Sequence, residues 1–128
     1  MATAEYFPVA ASLTGMKLPF SEAVRVGDVL YLSGSLGIDG TGKLVAGGVA
    51  AETRQALANI RAILERHGSS LDRVVKATAM LADMAEWAAM NEVYVEHFPG
   101  NLPARSAFGT SGLALGARIE LEVIATVD

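Results

Sequence analysis

The sequence predicts an α+β sandwich, in which helices pack on one face of a sheet whose opposite face is lined by polar side chains. Residues 119–127 alternate apolar and polar side chains, the pattern of a strand with one buried face. Residues 50–67 and 83–98 instead carry apolar side chains at helical spacing. Short strand-like runs precede the first helix, so strands and helices both contribute to the domain.

The N-terminal part of the chain is predicted to form hairpins. Residues 23–26 and 29–33 are β-rich runs, and the Gly-Asp pair at 27–28 between them is a strong signal for a tight turn. Residues 34–48 then contain six glycines, with a second turn signal at the Asp-Gly pair 39–40. We expect a loop and a hairpin over this segment.

The first helix is predicted over residues 50–67. Its apolar stripe is formed by Leu57, Ile60 and Leu64. Gly68 follows at the position where a left-handed residue often closes a helix, so the helix should end there.

A strand and a second helix are predicted next. Residues 74–81 are β-rich and alternate in character, as a half-buried strand does. Asp83 is placed to cap a helix, with Glu86 three residues on, and Pro99 ends it. The apolar stripe of this helix consists of Trp87, Met90, Tyr94 and Phe98.

The last strand, residues 119–127, has two faces with different roles. Its apolar face should pack on the helices. Glu120 and Glu122 would then point to the opposite side of the sheet.

Composition favours one oligomeric domain over residues 1–128, because the chain is too short for two domains with separate cores. Hydrophobic residues make up 52% of it, and thirteen glycines bring the apolar share above the roughly 45–50% usual for globular domains. Burial against other subunits would hide the excess.

The same composition excludes several partners and compartments. A net charge of −4 without a cluster of Lys and Arg argues against a protein that binds nucleic acid along its backbone. Residues 1–20 lack the features of a secretory signal, and no run approaches the ~20 apolar residues that span a membrane. We therefore expect a cytoplasmic protein.

No cofactor or metal is predicted. Residues 37–43 match most of a nucleotide-binding loop, but Leu44 occupies the position of the hydroxyl residue that holds magnesium. The chain has no Cys and no acidic cluster at ligand spacing, which leaves a metal without support. His67 and His97 both lie at predicted helix ends, where a capping role is expected and a catalytic pair is not.

Arg105 is the most informative candidate residue. It interrupts an apolar, strand-like run, residues 104–110, and no acidic neighbour in sequence neutralises it. One interpretation is an ion pair with Glu120 or Glu122 across the sheet. The other is a functional site in which the guanidinium binds a substrate carboxylate through two charge-assisted bonds while an acid such as Glu120 orients water.

Six motifs in a fixed order give the chain a resemblance to the RidA family, also called YjgF or the endoribonuclease L-PSP family. They are residues 32–34 (LSG), 55–60 (QALANI), 68–76 (GSSLDRVVK), 90–94 (MNEVY), 103–106 (PARS) and 119–125 (IELEVIA). The resemblance covers nearly everything from Pro19 to the C-terminus. It implies a chorismate-mutase-like α+β fold and a homotrimer with three clefts between neighbouring subunits, in agreement with the apolar excess.

The resemblance also implies an activity and a site. Deaminases of the family hydrolyse small 2-imino and 2-enamino acids to 2-keto acids and ammonia. By this resemblance, Arg105 binds the substrate carboxylate and Glu120 positions or activates the attacking water. Ser33 and the Gly34 backbone line the pocket, and Asn91 matches the pattern as a further substrate-binding or structural residue.

Two positions depart from the family pattern. Phe20 stands where these deaminases often have tyrosine, and Ala107 stands where they often have cysteine. The first change removes a hydrogen-bond donor from the cleft and the second leaves a smaller, more apolar wall, so substrate preference is expected to shift.

Two other functions remain open from the sequence. The protein could be a regulatory trimer that binds small carboxylates without turnover, since Arg105 alone would serve that purpose. A ribonuclease or translation inhibitor is the less favoured alternative, because the chain is acidic and its histidines lie at predicted helix ends.

Overall fold

The computed structural model describes residues 3–9 and 18–127, which form one sheet and two helices. The strands run in the order β1-β2-β3-β7-β5-β6, and β4 also pairs with β7. Every pair is antiparallel except β5 with β6, which is parallel. The elements are β1 (Ala4–Pro8), β2 (Ser21–Val26), β3 (Val29–Leu32), β4 (Ser35–Leu36), α1 (Gly48–Arg66), β5 (Val74–Leu81), α2 (Trp87–Glu96), β6 (Ala104–Gly109) and β7 (Ile119–Thr126).

The predicted hairpin and turns are confirmed. Strands β2 and β3 pair around Gly27, whose φ of 57° is the left-handed conformation that the turn requires. In the glycine-rich segment, the Gly42 amide donates to the Asp39 carbonyl at 3.0 Å. That segment also contains the two-residue strand β4, which the sequence did not predict because its pairing with β7 is a tertiary contact.

One hydrophobic core joins both helices to a single face of the sheet. The predicted stripe of α1, Leu57, Ile60 and Leu64, is fully buried. The alternate residues of β7 also belong to this core, as predicted, and they are Ile119, Leu121, Val123 and Ala125. Side chains at the intervening positions of β7 therefore point away from the helices.

The start of the second helix differs from the prediction. Residues 84–86 form a 3₁₀ turn, and α2 begins only at Trp87. Asp83 caps this turn by accepting from the Ala85 amide at 2.9 Å. Glu86 does not complete a capping box, because its carboxylate accepts from Arg118 Nε at 2.7 Å. Trp87 is 44% exposed, whereas the rest of the predicted stripe is buried.

Residues 3–9 and 18–127 contain neither a membrane-spanning helix nor a metal-binding cluster. No helix among them is long and apolar enough to cross a bilayer. No three acidic or histidine side chains in these ranges are grouped so that they could hold a metal ion.

Candidate functional site

Arg105 lies on the face of the sheet that packs against the helices. It is in β6, directly beside Ala77 of β5, which in turn pairs with Val123 of β7. Paired residues in neighbouring strands point to the same side of a sheet. Since Ala77 and Val123 are both buried in the core, the partly buried Arg105 extends toward α2.

The guanidinium of Arg105 contacts side chains of α2. Its central carbon lies 4.7 Å from the centre of the Tyr94 ring and 5.9 Å from that of Trp87. One of its nitrogens lies 3.9 Å from the Met90 sulfur, a weak acceptor. Among the residues that the structure describes, no carboxylate forms an ion pair with Arg105.

The interpretation of Arg105 as the ion-pair partner of Glu120 or Glu122 is wrong within one subunit. Glu120 pairs in register with Met80, and Glu122 pairs with Thr78. Thr78 and Met80 alternate along β5 with Ala77 and Ala79, which share the face of Arg105. The two carboxylates therefore lie on the opposite side of the sheet from the guanidinium.

Glu120 lies on the face of the sheet opposite the two helices, here called the open face, and its side chain is partly buried. The Glu120 carboxylate lies against the Gly34 backbone, so that a Cβ at Gly34 would overlap it and displace the end of the Glu120 side chain. Burial raises the pKa of Glu120, and repulsion from the Glu122 carboxylate raises it further. A carboxyl group with a raised pKa exchanges protons more readily near neutral pH.

Ser33 and Phe20 are connected to Gly34 through the chain and through one hydrogen bond. The Ser33 hydroxyl donates to the Ser21 carbonyl at 2.6 Å, which ties the end of β3 to the start of β2. Phe20 precedes Ser21 and is 50% exposed. Ser33 is followed directly by Gly34, so Phe20, Ser33, Gly34 and Glu120 form one group of candidates, here called the glutamate group.

The other candidates, Ala107 and Asn91, lie on the helix side of the sheet, as Arg105 does. Ala107 is two residues further along β6, beside the buried Ala79, and faces the helices as Arg105 does. Asn91 lies in α2 between the two residues that touch Arg105 most closely, and its side-chain oxygen is buried without a hydrogen-bond partner among the described residues. Arg105, Ala107 and Asn91 form the second group, the arginine group.

The histidines have separate structural partners. His97 Nδ1 lies 2.9 Å from the Val93 carbonyl, which confirms the predicted capping role. His67 instead uses its Nε2 to contact the buried Glu22 carboxylate at 2.9 Å, and its ring stacks on Phe7 at 4.2 Å. Neither arrangement resembles a catalytic pair.

The sequence did not predict a pair of hydrogen-bonding side chains on α1 that contacts the backbone beside the glutamate group. Asn59 donates to the carbonyls of Leu36 and Ile38 at 3.2 and 2.9 Å, and Gln55 donates to Asn59 Oδ1 at 2.9 Å. Leu36 pairs in register with Glu120. The spacing of Gln55 and Asn59, one helical turn apart, was the available signal, but their carbonyl partners lie more than twenty residues away in sequence.

By its fold, the protein is a small α+β protein with one mainly antiparallel sheet and two helices. The crystal structure of RidA from the Antarctic bacterium Psychrobacter sp. PAMC 21119 has this fold, with a TM-score of 0.87 and 35% identity over 96% of this chain and all of that one. The chain belongs to the Endoribonuclease L-PSP family, whose family model matches residues 14–127. This assignment confirms the resemblance deduced from the motifs.

Relatives of known description extend the comparison. A 2-iminobutanoate/2-iminopropanoate deaminase of Mus musculus is 45% identical over 108 residues, which are 84% of this chain and 80% of the relative. The Reactive Intermediate Deaminase A, chloroplastic, of Arabidopsis thaliana is 44% identical over 110 residues, covering 85% of this chain and 59% of the relative.

Proposed function

We propose that this protein is a hydrolytic deaminase of small 2-imino and 2-enamino acids such as 2-iminobutanoate, which it converts to the 2-keto acid and ammonia. The observation that carries the proposal is Arg105, a cation that no carboxylate of the described residues neutralises. A planar guanidinium matches a carboxylate with two parallel hydrogen bonds. The deaminase names of relatives about 45% identical to this chain support the same reaction.

In the proposed mechanism, Arg105 fixes the substrate carboxylate and Glu120 activates water. The water oxygen bonds to the imine carbon while one water proton passes to the Glu120 carboxylate, and Glu120 returns that proton to the nitrogen. The hydroxyl proton of the tetrahedral intermediate then passes through Glu120 to the same nitrogen, the carbon–nitrogen bond breaks, and ammonia leaves as the carbonyl forms. Every atom of the products comes from the substrate and one water, so the reaction needs no further co-substrate.

The two groups of residues meet across a subunit boundary in this proposal. Side chains on opposite faces of one sheet do not reach the same small molecule, and Arg105 and Glu120 lie on opposite faces. A homotrimer of chorismate-mutase-like arrangement would join the arginine group of one subunit to the glutamate group of its neighbour. Exposed Tyr31 and Phe108 on the open face fit burial in such an assembly.

Phe20 and Ala107 set the substrate preference in this proposal. Each contributes an apolar surface without a hydrogen-bond donor. One comes from the glutamate group and the other from the arginine group, so they would line the cleft from both sides.

The first test measures the reaction. A threonine dehydratase generates 2-iminobutanoate, and keto-acid formation is followed with and without the protein. We expect acceleration by the wild-type protein, and its absence would contradict the proposed reaction.

The second test measures whether the site is shared between subunits. Arg105→Ala and Glu120→Gln are each expected to be inactive alone. When the two variants are unfolded together and reassembled in equal amounts, about a quarter of the clefts receive both intact residues. We expect activity to return to that share of the wild-type value, whereas a site within one subunit would give no recovery.

A further inference from the structure

The guanidinium of Arg105 lies against aromatic rings of α2. The centres of the Tyr94 and Trp87 rings lie 4.7 and 5.9 Å from the guanidinium carbon. The aromatic ring carries negative charge density on its face, which attracts a cation. The ring uses none of the five N–H donors of the guanidinium, whereas a carboxylate would occupy two of them.

Tyr94 is itself held rigidly. It is 3% exposed and belongs to the hydrophobic core. Trp87, the first residue of α2, is half-exposed, so fewer neighbours restrict its ring than restrict that of Tyr94. A fixed ring restricts the orientations of a long side chain that otherwise has many rotamers.

We propose that Tyr94, with Trp87 beside it, is a positioning residue that holds the Arg105 guanidinium in its carboxylate-binding orientation and leaves the charge unneutralised. The proposal rests on the function proposed above, because it assigns Tyr94 a role in binding the substrate through Arg105. Tyr94 acts on Arg105 and not on the reacting atoms, so its loss should weaken binding more than turnover.

The ring of Tyr94, and not its hydroxyl, carries this role. The hydroxyl oxygen is buried and has no hydrogen-bond partner among the described residues. Removing an unpartnered buried hydroxyl leaves no other group unsatisfied. Tyr94→Phe should therefore preserve the function that Tyr94→Leu removes.

The chain offers a matched control for the loss of a buried ring. The Phe98 ring is tilted against the Tyr94 ring at 4.8 Å and belongs to the same core, and the cation–π contacts of Arg105 are with Tyr94 and Trp87 and not with Phe98. Phe98→Leu should lower stability as Tyr94→Leu does, without affecting Arg105. The comparison separates a positioning role from a general effect on the core.

The experiment measures the Kd of 2-oxobutanoate, the keto-acid product, by calorimetry, together with KM and kcat for 2-iminobutanoate. For Tyr94→Leu we expect Kd and KM to rise about tenfold, with a smaller change in kcat. Tyr94→Phe and Phe98→Leu should keep the wild-type Kd. Should Tyr94→Leu fail to fold, the half-exposed Trp87→Leu is measured in its place, with an expected rise of about threefold.

The outcomes separate this inference from the proposed reaction. An unchanged Kd in Tyr94→Leu, or in Trp87→Leu where it replaces that variant, overturns the inference. An equal loss in Tyr94→Phe or Phe98→Leu overturns it as well, and so does a wild-type protein that does not bind 2-oxobutanoate. Binding of 2-oxobutanoate without turnover of 2-iminobutanoate contradicts only the reaction, and the Kd comparison then still decides the role of Tyr94.

Discussion

Arg66 and Arg105 lie in two regions of the molecule that differ in the partners of a positively charged side chain. Arg66, at the end of α1, donates to the Glu22 carboxylate at 2.6 Å, and His67 contacts the other oxygen of the same carboxylate. Arg105 instead lies against the Tyr94 ring and has no carboxylate partner among the described residues. Both arrangements bury part of a cation, but only the first neutralises it.

The difference indicates which charge is structural. Glu22 is 8% exposed, and it joins β2 to the end of α1 by satisfying two donors at once. A partly buried cation without an acid is costly unless another anion arrives. The carboxylate of a substrate would be that anion at Arg105, so activity should depend on Arg105 and stability on the Glu22 cluster.

The largest effect is expected from Arg105→Ala. Loss of two charge-assisted bonds should lower kcat/KM for 2-iminobutanoate by roughly 10²–10⁴-fold. The matched control is Arg66→Ala, whose side chain is half-exposed and whose loss should cost below about 1 kcal/mol of stability and no activity. Steady-state kinetics and thermal unfolding of both variants check the comparison, which fails if both arginines affect turnover equally.

Glu120→Gln should have the next largest effect and should separate turnover from binding. Removal of the base is expected to lower kcat by roughly 10²–10³-fold. The Kd of 2-oxobutanoate should stay unchanged, because the variant keeps Arg105, the residue proposed to bind the carboxylate. A regulatory trimer that only binds small carboxylates would show no turnover in the wild-type protein, and an undiminished kcat in the variant would remove Glu120 from the mechanism.

A smaller effect, on stability alone, is expected from Glu22→Gln. The amide keeps the shape of the carboxylate but loses its charge, so the contacts with Arg66 and His67 weaken. The free energy of unfolding should fall by about 1–2 kcal/mol, discounted because Arg66 is half-exposed. Urea unfolding measures this loss, and kinetics should show kcat within about twofold of the wild type. A large loss of activity would contradict the assignment of this cluster to structure.

The sequence predicted local features better than it predicted contacts between distant residues. The alternation of β7 and the stripe of α1 each follow from one segment and its buried face, so both were predicted correctly. Arg105 was recognised as unusual because it lies in an apolar run. The face on which it lies depends on the register of β6 with β5, which no local pattern encodes.

For the candidate site, the sequence likewise indicated individual residues but not their arrangement in space. Motif resemblance named Arg105 and Glu120, but the sequence did not indicate that one subunit holds them on opposite faces of its sheet. The contact between Glu22 and His67 spans 45 positions and joins two segments that look unrelated in sequence. Tyr94 was assigned only to the core, although its ring also faces Arg105.

The smallest expected effect is a shift in the pH profile of kcat/KM that depends on Glu122, the second carboxylate on the open face. Burial raises the pKa of Glu120 above its ordinary value of 4.5, and Glu122 raises it further. As the pH falls, Glu120 takes up a proton and ceases to act as a base, so the acid limb of kcat/KM should lie above pH 4.5.

Glu122→Gln removes the repulsion but leaves the burial, so the pKa of Glu120 should fall and the acid limb should move to lower pH while remaining above the ordinary value. Glu92→Gln is the control, because it changes the net charge equally from an exposed position on α2. The pH profiles of kcat/KM for the two variants measure the difference. An equal shift in both would indicate an effect of net charge, and no shift in Glu122→Gln would mean that another group is the titrating base. A shift confined to Glu122→Gln would locate the base on the open face, opposite Arg105, the cation proposed to bind the substrate carboxylate.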